Sequence, residues 1–144
     1  MKKFLAASAL CLVSALPAAA DDQRHLVTIL TAAEPQTQLM AMVLTLNAVQ
    51  QGATAQILLC GPAGDIALND APATATAGQP PRDASPQGLM RMMMAQHNVK
   101  AEVCAIYLPG MGADASVLID GVTPAAPDAA ARAIIADDTV VMSF

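Results

Sequence analysis

The chain is predicted to be an α/β protein of three layers, with helices covering both faces of one parallel five-stranded sheet. Short runs of branched aliphatic residues alternate with segments whose apolar residues recur at helical spacing, and this order implies parallel pairing through right-handed crossovers. Gly, Pro and Ser stand where such elements start and stop. No internal repeat or second-domain pattern appears, so the expectation is a single domain over residues 21–144.

Residues 1–20 read as a secretory signal. Lys2 and Lys3 give the positive end, Phe4 to Leu16 the apolar run, and Ala18-Ala19-Ala20 a small-residue cleavage motif before Asp21. The apolar run is shorter than the roughly 20 residues that span a bilayer, so it is not expected to stay as an anchor. Cys11 belongs to this leader, because Leu10 precedes it where a lipoprotein signal needs a small residue. The mature chain is therefore expected to be periplasmic or secreted, and free of the membrane after cleavage.

His25 to Thr31 is the first expected strand, and Glu34-Pro35 opens a helix. Leu39, Met42, Val43, Leu46 and Val49 give that helix an apolar face, with Gly52 in the stop position. Ala55 to Cys60 is the second strand, ended by Gly61-Pro62. Asp70 to Pro86 is rich in Ala, Pro and Thr without an apolar period, and is expected to be a flexible loop. Ser85-Pro86 then caps a helix over Gln87 to Asn98. The third strand is expected over Ala101 to Tyr107, a short helix over Ala113 to Ile119, and a brief strand or turn at Asp120 to Val122. Thr123-Pro124 is the expected cap of a last helix reaching about Ala136, and Asp138 to Phe144 closes the chain as a strand.

Charge narrows the function. The whole chain carries a formal charge of −5, and loss of Lys2 and Lys3 leaves five basic against twelve acidic residues. Phosphate binding needs clustered cations, so nucleic acid is not an expected partner. With no Trp and only Phe4, Tyr107 and Phe144 as aromatics, the core must be built from Ala, Val, Leu, Ile and Met.

Cys104 and Cys60 are the candidate catalytic residues, because each ends an expected buried strand where α/β proteins place their chemistry. A cysteine acts as thiolate, a state favoured by a nearby cation or a helix N-terminus. A helix starting near Gly112 or Ala113 is expected to supply the latter to Cys104. Three states stay open: a structural disulfide, a redox-active pair and two separate thiols. Strand order decides among them, since one intervening strand would separate the sulfurs by roughly 10 Å.

Met90, Met93, Met94 and His97 share one helical side, next to Met92. Thioethers and imidazole suit Cu(I), which makes the four a candidate metal site. The same spacing also serves to pack a helix on a sheet, and Met fills gaps where aromatics are missing. Gly61-Pro-Ala-Gly64 lacks both the P-loop lysine and the dinucleotide glycines, so it reads as a strand exit and no cofactor is expected. His25 reads as a solvated strand-edge residue. Asp65, Asp114 and Asp120 are dispersed and form no acid-base pair.

In order and spacing these segments resemble the DsrE/DsrF-like sulfur-relay family. The resemblance is carried by the opening strand and long helix, Ile57-Leu-Leu-Cys-Gly-Pro-Ala-Gly-Asp-Ile-Ala-Leu68, Val99-Lys-Ala-Glu-Val-Cys104, Ile119-Asp-Gly-Val-Thr-Pro124 and Thr139-Val-Val-Met-Ser-Phe144. It implies that strands two and three are neighbours and that Cys104 matches the position carrying sulfur as a persulfide. It also implies a homo-oligomer, with a thiol or sulfur donor or acceptor protein as partner. The loop after this cysteine, Ala105 to Met111, is neutral and apolar.

Overall fold

A computed structural model describes residues 23–144. The expected signal peptide and its cleavage point lie outside the described residues. No helix among the described residues is long and apolar enough to cross a membrane.

Strand β1 (His25–Leu30) leads into α1 (Pro35–Gln50), whose first turn is capped by Glu34. The Glu34 carboxylate accepts from Gln36 N at 3.0 Å and Thr37 N at 2.7 Å, satisfying two N–H groups that the helix itself leaves unpaired. Strand β2 (Thr54–Leu59) runs into a 3₁₀ segment over Gly61–Ala67, and a single helical turn, α2 (Ala73–Thr76), follows. Helix α3 (Pro86–His97) starts as expected, with Ser85 Oγ accepting from Gly88 N at 3.1 Å, and ends at Asn98 in the left-handed conformation. Strand β3 (Lys100–Val103), helix α4 (Tyr107–Met111), the two-residue strand β4 (Thr123–Pro124), α5 (Pro127–Ile134) and β5 (Thr139–Ser143) complete the chain.

The five strands lie in the order β4-β3-β2-β1-β5, all parallel. The crossovers from β1 to β4 all step the same way, so right-handedness puts α1 and α3 on one face; the return from β4 to β5 puts α5 on the other. This is the predicted three-layer α/β/α architecture.

Alternation along the strands sends Leu26, Leu30, Ile57, Leu59, Ala101 and Val103 into the main core, where they meet Met42, Met90 and Met93. Thr28 and Thr45 are buried within it, and their hydroxyls bond at 2.7 Å while Thr45 also donates to Ala41 O. Every polar atom in that contact between β1 and α1 thus has a partner.

Four local expectations need correction. β3 ends at Val103 instead of Tyr107, because the apolar run Ala105 to Leu108 bends into α4 and buries Tyr107 and Leu108 there. The helix expected after Gly112 precedes it, and Gly112 is its stop, with φ of +66°. Only a 3₁₀ turn over Ala115–Val117, capped by Asp114, occupies the expected position. Thr123-Pro124 is an edge strand, and Pro127 opens the last helix. Within residues 70–86, α2 buries Ala75, and Gln79 and Ala84 form an antiparallel bridge, so this stretch holds more structure than its composition suggests.

Candidate active site at two strand ends

β2 and β3 are neighbours, with Leu59 in register with Val103. The next residue on each strand is a cysteine. Backbone pairing continues one step past both strands, Cys60 N donating to Leu30 O at 2.9 Å and Cys104 N to Leu59 O at 2.8 Å. Their Cα atoms lie 5.0 Å apart and the side chains are joined as a disulfide. Two separate thiols are therefore not what this structure contains. Both cysteines are half-buried, and the bond sits at the carboxyl edge of the sheet, where open α/β folds bind their ligands.

A second link runs beside the disulfide. Tyr107 N donates to Cys104 O at 2.8 Å, and its hydroxyl crosses to the other turn to donate to Asp65 Oδ1 at 2.7 Å. The ring lies directly on Gly64, where a Cβ would overlap it. Ala63 N bonds Cys60 O, closing the first turn of the 3₁₀ segment. Tyr107 is thus a non-covalent brace between the segments that follow Cys60 and Cys104. Burial first, then the bond to Asp65 and the charge of that carboxylate, push the phenol well above its usual range. It stays neutral and donating at any physiological pH.

Sequence reasoning missed Tyr107 and left Asp65 among the dispersed carboxylates. The available signal was the uniqueness of this tyrosine, three residues after Cys104, in a chain with almost no aromatics. Gly61, with φ of +53°, makes the sharp exit from β2, so Gly61-Pro-Ala-Gly64 is a turn that carries Cys60 and seats Tyr107.

The other candidates are not gathered here. Met90 and Met93 are fully buried in the core, Met94 is half-buried with its methyl against Gly121, and His97 is exposed on the last turn of α3. His25 lies at the opposite end of the sheet, 2.7 Å from the Thr54 hydroxyl. Asp114 caps the 3₁₀ turn through Ser116 N, and Asp120 is exposed. Among the described residues no three His, Cys, Asp or Glu side chains are placed to hold one metal ion. A groove of about 640 Å³ runs between α1 and residues 79–84, walled by Leu39, Met40, Val43, Leu46 and Leu89, and neither cysteine lines it.

On the sheet face away from α1, Glu102 is buried. It accepts from Gln56 Nε2 at 2.5 Å and pairs with the half-exposed Lys100 at 2.8 Å.

The sequence matches no protein-family model and no curated protein. Solved structures do match. The ychN protein from E. coli superposes with a TM-score of 0.65 at 18% identity, over 85% of this chain and 99% of its own. MTH1491 from Methanobacterium thermoautotrophicum, described as a protein of unknown function, does so with 0.65 at 12%, over 85% and 100%. Both have the DsrE-like fold, and what this chain shares with them is that fold.

Proposed function

We propose that the chain handles thiols or sulfur through the Cys60–Cys104 couple, with Cys104 as nucleophile or sulfur carrier and Cys60 as resolving partner. The observation that carries this reading is the meeting of two half-exposed cysteines at adjacent strand ends, on a fold shared with DsrE-like proteins. In the oxidised form neither sulfur is a nucleophile. A thiol reductant supplies two electrons, ends as its own disulfide, and frees both. The Cys104 thiolate then attacks the outer sulfur of a donor persulfide, forming the Cys104 persulfide and releasing the donor thiolate. Attack by the Cys60 thiolate on the inner sulfur of that persulfide releases hydrosulfide and restores the disulfide. The resting disulfide is thus the product of one turnover and the acceptor of electrons for the next.

Export fits this chemistry, because a disulfide persists in oxidising compartments, and residues 1–20 have the pattern of a secretory leader. The reading is tested on reduced protein at pH 7. Cys104 is expected to alkylate faster than in the denatured chain, and polysulfide is expected to add one sulfur to it. A Cys104 no faster than the denatured control, or a disulfide that resists dithiothreitol in the folded state, sinks the proposal.

The competing role, a non-catalytic ligand- or soft-metal-binding or assembly module with structural cysteines, is favoured in its assembly form by exposed apolar side chains remote from the cysteines: Met40 and Leu44 on α1, and Val140 and Val141 on edge strand β5. A second copy of the chain would cover such surface. Light scattering of the purified chain tests assembly, and the monomer mass at micromolar concentration would reject it.

A further inference from the structure

The disulfide is framed by an uncharged apolar rim. On the Cys60 side Gly61 and Pro62 are exposed. On the Cys104 side Ile106, the residue that precedes α4, is 81% exposed, and Pro109 and Gly110 within α4 are exposed as well. The turns Cys60 to Gly64 and Cys104 to Ala113 contain no charged residue, and the carboxylates that follow them, Asp65 and Asp114, are engaged by Tyr107 and by Ser116 N. An isoleucine held this far out of the fold, two residues from a reactive bond, contributes nothing to the core. Its neighbours Tyr107 and Leu108 are buried, so the exposure of Ile106 is local to the rim.

We infer that this rim docks the apolar surface of a reduced protein dithiol, which is the physiological reductant of the Cys60–Cys104 disulfide. The inference rests on the redox reading proposed above and names its partner by two complementary chemistries. The covalent one is set by the disulfide, an electrophile that a thiolate opens by exchange. The non-covalent one is fixed by the rim, which offers apolar contact and neither salt bridges nor anion-binding side chains. A partner thiolate attacks Sγ of Cys104, beside Ile106, and forms a mixed disulfide. Cys60 leaves as thiolate and takes a proton from water. The partner's second thiol, losing its proton, attacks the mixed disulfide and releases Cys104. The proton shed by the partner's second thiol goes to the departing Cys104 thiolate, two electrons pass from partner to chain, and the partner ends as a disulfide.

The experiment compares two reductants on the full oxidised chain, dithiothreitol and reduced thioredoxin, with liberated thiols counted by mass after acid quenching and alkylation. Ile106→Ser removes the apolar contact without adding charge, at a position too exposed to affect folding. Its reduction by thioredoxin is expected to slow on the order of tenfold, while reduction by dithiothreitol stays within about twofold of wild type. Ile106→Leu is expected to keep the wild-type rate with both. Unchanged thioredoxin kinetics in Ile106→Ser, or equal slowing with both reagents, overturns the docking inference and leaves the redox reading standing. Failure of dithiothreitol to reduce the folded wild-type chain overturns both.

Discussion

Reduction of the Cys60–Cys104 bond is expected to destabilise the fold without unfolding it. The cysteines are 44 residues apart in sequence, and a loop of that size closed in the unfolded chain loses entropy worth about 4 kcal/mol at 25 °C. A domain of this size has roughly 5–15 kcal/mol of stability to lose. The reduced chain therefore stays native, and its contacts explain how. The β2–β3 ladder from Gln56 to Leu59 and the Tyr107–Asp65 bond do not involve sulfur and are expected to persist, so the strand ends are held together by more than the disulfide. The assay is guanidinium unfolding with and without dithiothreitol, paired with a Cys60→Ser/Cys104→Ser double variant. Oxidised protein should exceed both reduced and double-variant protein by about 4 kcal/mol, with a melting shift of roughly 12–20 °C. Two results refute the reasoning in different ways. No shift means that the bond does not constrain the chain in solution. Loss of the near-ultraviolet Tyr107 signal on reduction at 25 °C means that the bond is a staple the fold cannot do without, which is incompatible with a redox cycle.

The other predictions concern the groups around that bond and the ends of the fold. Tyr107 is the chain's one tyrosine and its phenol is held well above the free value of about 10, so it favours folding below that value and this gain is lost as the pH rises further; alkaline absorbance titration should show tyrosinate only together with unfolding, and appearance near pH 10 in folded protein would refute the brace. Gly64→Ala should cost about 1–3 kcal/mol by driving a methyl into the Tyr107 ring, and the cost should shrink in a Gly64→Ala/Tyr107→Ala background. Glu102→Ala should cost about 2 kcal/mol in urea unfolding by leaving Gln56 without its buried acceptor, whereas Lys100→Ala, at the exposed end of the ion pair, should change stability by less than about 0.5 kcal/mol. The Glu34 carboxyl is held below its usual value of 4.5, chiefly by the Gln36 and Thr37 N–H groups, so its contribution is complete above that pH and is lost as the pH falls through the lowered value; Glu34→Gln should flatten that acid limb.

What the sequence revealed followed the range of the interaction behind each feature. Pro35 and Ser85-Pro86 located two helix starts because capping is decided within three residues. The last strand was legible because it opens on the β-branched run Thr139-Val-Val141. By contrast, Ala105 to Leu108 is apolar in either a strand or a helical turn, and only the burial of Tyr107 against Gly64 decides that the chain bends after Cys104. Glu102 was unreadable for the same reason: a carboxylate on a strand reads as surface until the strand beside it supplies Gln56. The pairing of Cys60 with Cys104 was one of three open states, and the strand order that decides it, a property of the whole sheet, was expected only through resemblance.

In the proposed cycle, the brace is what would let one site hold a bond and also survive without it. Suppose the disulfide alone joined the two turns. Reduction would then release Cys60 and Cys104 into independent exit loops, and re-forming the bond would require the chain to find that geometry again. Here the backbone ladder reaches both cysteines, and the Tyr107 hydroxyl on Asp65 joins the segments beyond them. Tyr107 remains protonated across the physiological range, so this second link does not change when the thiols ionise. Two thiols held near each other behave as an intramolecular pair, and in the cycle proposed above resolution of a persulfide or mixed disulfide on Cys104 by Cys60 would gain from that proximity. The same geometry leaves Ile106 outside the brace. It is the part of the site that a partner can touch without disturbing what holds the sulfurs together.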